Sequence, residues 1–591
     1  METLSRLILN TVKSYPKDNL LSSKHDGRWI PISTAEVGER IKAIALGLKE
    51  LGVAKGDKLI ILSENRPEWH MTDFANMCLG GVTVPVYTSL MPDQIRYIID
   101  DSDAKVVVCS GLALWGRLAA VRGALAKVRH FIVMDGPAPE GALAMSDVIE
   151  KGRAVAARQP GLFEELAWSV KPDDLASIIY TSGTTGVPKG VMLTHGNFAC
   201  NVRTIIELVE FNVKDTVLSF LPLSHVLERL TTFAFLAKGC SIAYAESVET
   251  VADNLLEVRP QIMVSVPRLF DKIYAKVMDA VLAGSSLKKA IFFWALRTGK
   301  KFSACRLEGK PVSAFLKAKN GLARKLVFGK ILAKTGGRVR FFVSGGAPLS
   351  KDIAEFFFAI GLTILEGYGL TETAPVLAVN TFENLRLGTV GKPIPGIELK
   401  LAADGEIIAR GPNVMRGYFK KEAETREVLI DGWLHTGDIG HLDKDGFLVI
   451  TDRKKDLIIT AGGKNVAPQP IENLLKTVPL VANAVVIGGN RKFIAALVVP
   501  DFDKLIAHAK ANNIPFTSRR ELVLRPEAVD FVMAGIERAT AQLAPFERIK
   551  KIALLDRDFE IEAGEMTPTL KVRRAIVENK YKDIIDALYR E

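Results

Sequence analysis

The sequence predicts an α/β protein: a large N-terminal domain of doubly wound, mixed or parallel sheets, then a small α+β domain. Three observations carry that reading. Between residues 34 and 109, strand-length apolar runs alternate with helix-length periodic segments, the pattern of crossover units in a parallel sheet. At 591 residues the chain is longer than one hydrophobic core ordinarily serves, so at least two domains are expected. Finally, Asp452-Arg453-Lys454-Lys455-Asp456 packs charge between two strand-like runs, as an interdomain linker does, and divides the chain into 1–453 and 454–591.

In chain order, Val37, Ile41, Ala45, Leu48 and Leu51 recur at helical spacing within 34–52, with Ser33 or Thr34 placed to cap that helix. A strand at 58–63, a helix at 68–80, a strand at 82–87, a helix at 93–101 and a strand at 104–109 follow. Residues 175–180 are apolar enough for a buried strand, and Val191-Met192-Leu193 restores the strand pattern after an intervening loop. Strands at 339–343 and 363–365 end in Ser344-Gly345-Gly346-Ala347-Pro348 and in Glu366-Gly367-Tyr368-Gly369-Leu370-Thr371-Glu372. Loops at the carboxyl ends of parallel strands are where such sheets bind ligands. The C-terminal part shows strands near 482–488, 493–500 and 552–555.

Composition narrows the function classes. A hydrophobic content of 48% with 25% charged residues describes a folded protein, not a disordered one. The five cysteines, at 78, 109, 200, 240 and 305, form no close pair, which argues against a zinc site or a disulfide framework and suits a reducing cytosol. The first residues carry no signal-peptide pattern, and no apolar run approaches the roughly 18–20 residues of a membrane span. A soluble or peripheral protein is expected. The net charge of +11 is concentrated at 285–340, where fifteen Lys and Arg stand against one acid, Glu308, interleaved with Phe292, Phe293, Trp294 and Phe315. Such a stretch is either a solvated helical excursion or a surface for anionic headgroups or an anionic ligand. No nucleic-acid-binding module accompanies it, so nucleic acid is not an expected partner.

The loop between the strands at 175–180 and 191–193 carries the most specific chemistry. Gly183, Gly186 and Gly190 let backbone approach a ligand, Thr181, Ser182, Thr184 and Thr185 offer hydroxyls, and Lys189 supplies a compact positive charge. The set suits a polyphosphate, although Gly/Ser/Thr loops between strands are commonly plain turns. It is not a P-loop: Pro188 precedes Lys189, and Gly190 leads into a strand where a P-loop opens into a helix. Further on, Gly345 and Gly346 permit close approach to a flat base, Tyr368 offers a ring for stacking, Thr371 a donor for a phosphate, and Glu372 a hard oxygen for Mg2+. His225 lies before an apolar helix, a place where a lone histidine is more often packed than catalytic.

In this order and spacing the motifs resemble the adenylate-forming superfamily of acyl-CoA synthetases, luciferases and peptide-synthetase adenylation domains. Thr567-Pro568-Thr569-Leu570-Lys571 resembles its long-chain fatty acyl-CoA synthetase branch, with Leu570 where the commoner family form has glycine. The resemblance covers essentially the whole chain. It implies an adenylation domain at 1–453, binding ATP and fatty acid and carrying a basic helical insertion at about 270–338, and a C-terminal domain at 454–591 carrying the catalytic lysine, Lys571. By the same resemblance residues 181–186 and Lys189 handle the β- and γ-phosphates of ATP. Gly345, Gly346, Ala347, Glu366, Gly367, Tyr368 and Gly369 hold the adenosine, Thr371 the α-phosphate and Glu372 the metal. Asp438, in Trp433-Leu434-His435-Thr436-Gly437-Asp438, and Arg453 hold the ribose, His225 walls the acyl pocket, and Lys455 is the hinge.

The implied reaction is ATP- and Mg2+-dependent ligation of a long-chain fatty acid to coenzyme A through acyl-AMP, in the cytoplasm or at the inner face of an anionic membrane, with room for a dimer. Other readings stay open at this point: an acyl-AMP ligase serving a carrier protein, a synthetase for another carboxylic acid, a luciferase-type oxidation, or a non-catalytic nucleotide-binding or membrane-scaffold protein.

Overall fold

The computed structural model describes residues 2–590 apart from 182–186, 463, 561–562 and 568–571, and apart from the side chain of Asn465. The predicted alternation is present. Ser33 caps the helix Thr34–Glu50, its Oγ accepting from the Glu36 N–H at 3.1 Å. Strands Lys58–Leu62, Val82–Val86 and Ala104–Cys109 alternate with helices Pro67–Cys78 and Pro92–Asp101.

Among the described residues, two large sheets build the N-terminal part. In the first, Lys58–Leu62 is flanked in parallel by Val82–Val86 and Ala104–Cys109, and the sheet continues on one side through Leu175–Thr181 to the antiparallel Lys189–Thr194. In the second, Ser241–Tyr244, Thr216–Ser219, Ile262–Ser265, Phe341–Ser344 and Thr363–Gly369 run parallel side by side. One apolar core joins the sheets, taking Leu59, Ile61 and Val106 from the first and Val217, Ile242 and Phe341 from the second. Helix Val226–Ala237 lies within that core and is buried on all sides from Val226 to Leu236, which is why its sequence is apolar around its whole circumference. Both large sheets are mixed, parallel in the middle with antiparallel strands toward an edge.

The strand that starts at Thr363 is longer than the 363–365 its sequence predicts. Glu366 to Gly369 do not begin a loop after the strand: the strand runs from Thr363 to Gly369, and its second half pairs antiparallel with Val376–Val379. The reason is tertiary. A Cβ on Gly369 would lie 1.7 Å from the Pro375 carbonyl oxygen, so only glycine lets the two strands close there.

A smaller five-stranded antiparallel sheet contains Glu406–Arg410, Trp433–Leu442 and Leu448–Arg453. The residues beyond it have their own cores around a sheet of Val481–Ile487, Ala495–Pro500 and Lys551–Leu554. The basic stretch folds as helices Pro267–Leu282, Ser286–Leu307 and Ala314–Ala323, a π-helical turn Arg324–Phe328 and Gly329–Ala333. It is fastened to helix Lys351–Ile360 by Lys300 to Glu355 at 3.1 Å and by Ser303 Oγ donating to Phe358 O at 3.3 Å. Lys504, in the C-terminal part, pairs with Asp279 of helix Pro267–Leu282 at 2.8 Å. No described helix is long and apolar enough to cross a membrane.

Candidate active site

The Gly-rich loop springs from an antiparallel pair in which Thr181 stands opposite Lys189 and Tyr180 opposite Gly190. Ser182, Gly183, Thr184, Thr185 and Gly186 lie outside the described residues. Both flanks are tied to helix Pro92–Asp101: Tyr180 Oη donates to Asp101 at 2.5 Å, and Tyr97 Oη donates to Pro188 O at 3.1 Å. Burial, then the Asp101 carboxylate, raises the Tyr180 phenol, so it remains a donor at any ordinary pH.

Lys189 meets a residue that sequence reasoning missed. Its Nζ lies 5.1 Å from the ring centre of Tyr418, and Tyr418 Oη donates to Glu372 Oε1 at 2.8 Å. Tyr418 is placed by the two-residue strand Gly417–Tyr418, which pairs with Met192 and Val191, and by the Phe419 N–H donating to Gly190 O at 2.7 Å. A single ring therefore links Lys189 to the Glu372 carboxylate. Glu372 is half-buried in the one-turn helix Thr371–Thr373 beside the half-buried Thr371, and its carbonyl accepts from the Met415 N–H at 2.8 Å.

The second cluster centres on Asp438, which is buried. Tyr368 Oη donates to Asp438 Oδ2 at 2.8 Å and Arg453 Nε donates to Oδ1 at 2.9 Å. The backbone sets this up, because Asp438 and Arg453 are direct partners in the antiparallel pair of Trp433–Leu442 and Leu448–Arg453. Arg453 also sits in the fields of Glu372 and Tyr368, so the two clusters adjoin. A carboxylate held by two donors in this way is oriented for hydroxyls.

The glycine loop after Phe341–Ser344 lies beside the neighbouring strand Thr363–Gly369: a Cβ on Gly345 would stand 3.7 Å from Gly367 O. Gly346 has φ +79°, a left-handed conformation, and Ala347 is exposed. A Cβ on Gly345 would stand 3.0 Å from Leu227 Cδ2, which places the start of helix Val226–Ala237 against this loop. His225 is that helix's N-cap: its Nδ1 accepts from the Leu227 N–H at 3.2 Å, which leaves Nε2 to carry the proton of a neutral ring. Gly367 is half-buried in the strand, where a Cβ would make ordinary contacts at 3.6 Å with Ala378 O and Val379 Cγ2. Glu366 is buried, with Oε1 unpartnered among the described residues, and burial pushes its carboxyl up to about 8.

Behind His225 lies a further buried group that the sequence did not reveal. Glu228 accepts from Ser219 Oγ at 2.6 Å, its Oε2 is unpartnered among the described residues, and burial pushes it up to about 8. Its neighbour Arg229 makes a fully buried bidentate pair with Asp73 at 2.9 and 2.6 Å and donates to Ser177 Oγ at 2.6 Å. That pair ties the helix behind His225 to helix Pro67–Cys78 and to the strand feeding the Gly-rich loop.

Lys455 is exposed in the turn after Leu448–Arg453, where the Asp456 and Leu457 N–H groups donate to Arg453 O at 2.9 and 3.1 Å. Lys571 lies outside the described residues. On either side of it in sequence, Met566 and Val572 form an antiparallel bridge, and buried Glu565 is clasped by Arg557 at 2.7 Å and Lys580 at 3.0 Å. No group of three or more metal-ligating side chains occurs among the described residues.

Comparison with known proteins gives a consistent picture. Residues 10–419 match the family model described as AMP-binding enzyme, and 455–591 the one described as AMP-binding enzyme C-terminal domain. The chain is 37% identical over 570 residues to the long-chain-fatty-acid–CoA ligase FadD15 of Mycobacterium bovis, covering 96% of this chain and 93% of that protein. It is 34% identical to the peroxisomal long chain acyl-CoA synthetase 6 of Arabidopsis thaliana, covering 96% of this chain and 82% of that one. Among solved structures it resembles the anthranilate CoA ligase AuaEII in complex with anthranoyl-AMP, with a TM-score of 0.75 at 20% identity over 99% and 98% of the two chains. It also resembles a Mycobacterium tuberculosis fatty acyl CoA synthetase, with a TM-score of 0.63 at 22% identity over 99% of both chains. At those identities the structural likeness speaks for the fold alone.

Proposed function

The chain belongs to the family of AMP-binding enzymes, and we infer from that membership that it ligates a long-chain fatty acid to coenzyme A through an acyl adenylate. The observation that carries the reading is near-full-length relatedness to bacterial and plant long-chain fatty acyl-CoA ligases. The clusters around Asp438 and Glu372 are chemically suited to the task. In the first step a carboxylate oxygen attacks the α-phosphorus of ATP, the bond to the bridging oxygen breaks, and pyrophosphate leaves with acyl-AMP formed. In the second, CoA thiolate attacks the acyl carbonyl and AMP leaves.

Asp438, oriented by Tyr368 and Arg453, accepts from the ribose hydroxyls, and the Gly345–Gly346 loop gives the base close backbone approach. Thr371 donates to the α-phosphate. Lys189, steadied by the Tyr418 ring, meets the charge that gathers on the leaving phosphates. Lys571 bridges carboxylate and α-phosphate in the first step, and Lys455 is the pivot about which the C-terminal part turns before the second. No enzyme nucleophile takes part, so positioning and charge do the catalysis. His225, with Nδ1 engaged as a helix cap, lines the acyl side and is assigned no proton transfer.

Magnesium fits the residues present. Glu372 offers one carboxylate, and one carboxylate together with ATP phosphate oxygens is a donor set that Mg2+ commonly takes. When bound it neutralises phosphate charge. The free thiols of all five cysteines suit a reducing cytoplasm, and the basic helical excursion suits peripheral contact with an anionic membrane. The test is pyrophosphate release from ATP across saturated acids from acetate to long chains, with and without CoA. A maximum at long chains with CoA-stimulated turnover is expected; a maximum at acetate or an aromatic acid would discard the substrate.

A further inference from the structure

We propose that the membrane contact is made by one face of helix Ala314–Ala323 and its π-helical continuation, with Phe315, Leu322 and Leu326 entering the headgroup region of an anionic bilayer. The inference rests on the membrane reading given above and names the surface that reading needs. The helix has a buried side: Ala323 is buried, Leu316, Asn320 and Val327 are half-buried, and all four fall on one stripe. A quarter turn away, at spacings of four, three and four residues, stand Phe315, Lys319, Leu322 and Leu326. The three apolar side chains on that stripe are 70%, 48% and 44% exposed.

A solvent-facing stripe on an ordinary surface helix is polar. Here three of its four residues are apolar, and the surrounding charge has one sign. Residues 314–333 carry Lys317, Lys319, Arg324, Lys325 and Lys330, all exposed, and no acid. Lys319 Nζ lies 4.4 Å from the Phe315 ring centre, so even the cation inside the stripe is held to its aromatic anchor. Apolar anchors among cations and without a single acid complement an anionic lipid surface, where acyl-chain burial and headgroup attraction add. Because the excursion is bolted to helix Lys351–Ile360, which leads directly into the strand Thr363–Gly369, a bilayer held here would sit on the body that carries the adenosine element.

The experiment is flotation of the full chain with vesicles of phosphatidylcholine mixed with phosphatidylglycerol, against phosphatidylcholine alone. It uses wild type, the triple variant Phe315→Ser/Leu322→Ser/Leu326→Ser and the charge variant Lys317→Gln/Lys325→Gln. Thermal melting and CoA ligation of octanoate, an acid that needs no bilayer for delivery, check that each variant is folded and active. Wild type is expected to float with the anionic vesicles and to be released by salt. The triple variant should bind about tenfold or more weakly while turning over octanoate unchanged, and the charge variant should lose much of its salt dependence. If wild type floats and the triple variant floats equally well, the assigned face is wrong while the membrane reading stands. If wild type floats with neither vesicle, both fail. Should the substitutions instead convert a dimer into a monomer by light scattering, the stripe joins two copies of this chain and the proposal is overturned.

Discussion

Tyr418 is the residue on which most of the site's wiring meets. Its ring faces Lys189, its hydroxyl fixes Glu372, and its backbone closes the edge of the first sheet beside the Gly-rich loop. Tyr418→Phe keeps the ring and removes only the hydrogen bond to a carboxylate, an interaction worth about 1.5–3 kcal/mol. Adenylation should fall by about tenfold or more, and the Mg2+ concentration for half-maximal rate should rise, because Glu372 would no longer be aimed. Steady-state kinetics over a Mg2+ series reads this out. An unchanged Mg2+ dependence would show that the tyrosine does not orient the metal carboxylate. The motif residues are weak signals singly, since Gly/Ser/Thr loops are commonly plain turns, and they point to one chemistry only through their joint order and spacing. Tyr418 was not legible, because a two-residue strand has no periodicity and its partners are distant in sequence.

At the scale of elements, helix Val226–Ala237 is the keystone, and Arg229 is what locks it. The pair with Asp73 is fully buried and bidentate, with Ser177 completing the donor set. Arg229→Met leaves the Asp73 carboxylate uncompensated in the core and should cost about 3–5 kcal/mol, whereas Arg229→Met with Asp73→Leu should recover most of that loss. Urea unfolding followed by tryptophan fluorescence separates the two. If the double substitution is no better than the single, the cost is packing and not unpaired charge. The pair was unreadable beforehand, because an arginine in an apolar helix looks like a solvent-facing edge and Asp73 lies 156 residues away. The helices and strands between 34 and 109 were legible, because their apolar periods differ. The strand from Thr363 to Gly369 was read too short: glycines weaken a local strand signal, and it was the antiparallel neighbour Val376–Val379 that extended it.

For the whole molecule, two reactions are proposed to share one site, with a different lysine serving each. Lys571→Ala should lose pyrophosphate release by about a hundredfold and still make thioester from supplied acyl-AMP. Lys455→Pro should keep the first reaction and lose the second; equal losses in both variants would remove the division of labour. The alternation of strands with helices made the large α/β body readable in sequence. How the C-terminal part is seated, with Lys504 on Asp279, was not readable, since single ion pairs between distant segments leave no pattern. The most direct test of the central claim is acid-dependent exchange of labelled pyrophosphate into ATP in the absence of CoA. Exchange that requires a long-chain fatty acid and Mg2+, followed by acyl-CoA formation when CoA is added to the isolated enzyme–adenylate, is the predicted result. If no exchange occurs until CoA is present, ligation does not pass through a free-standing adenylate and the mechanism is wrong.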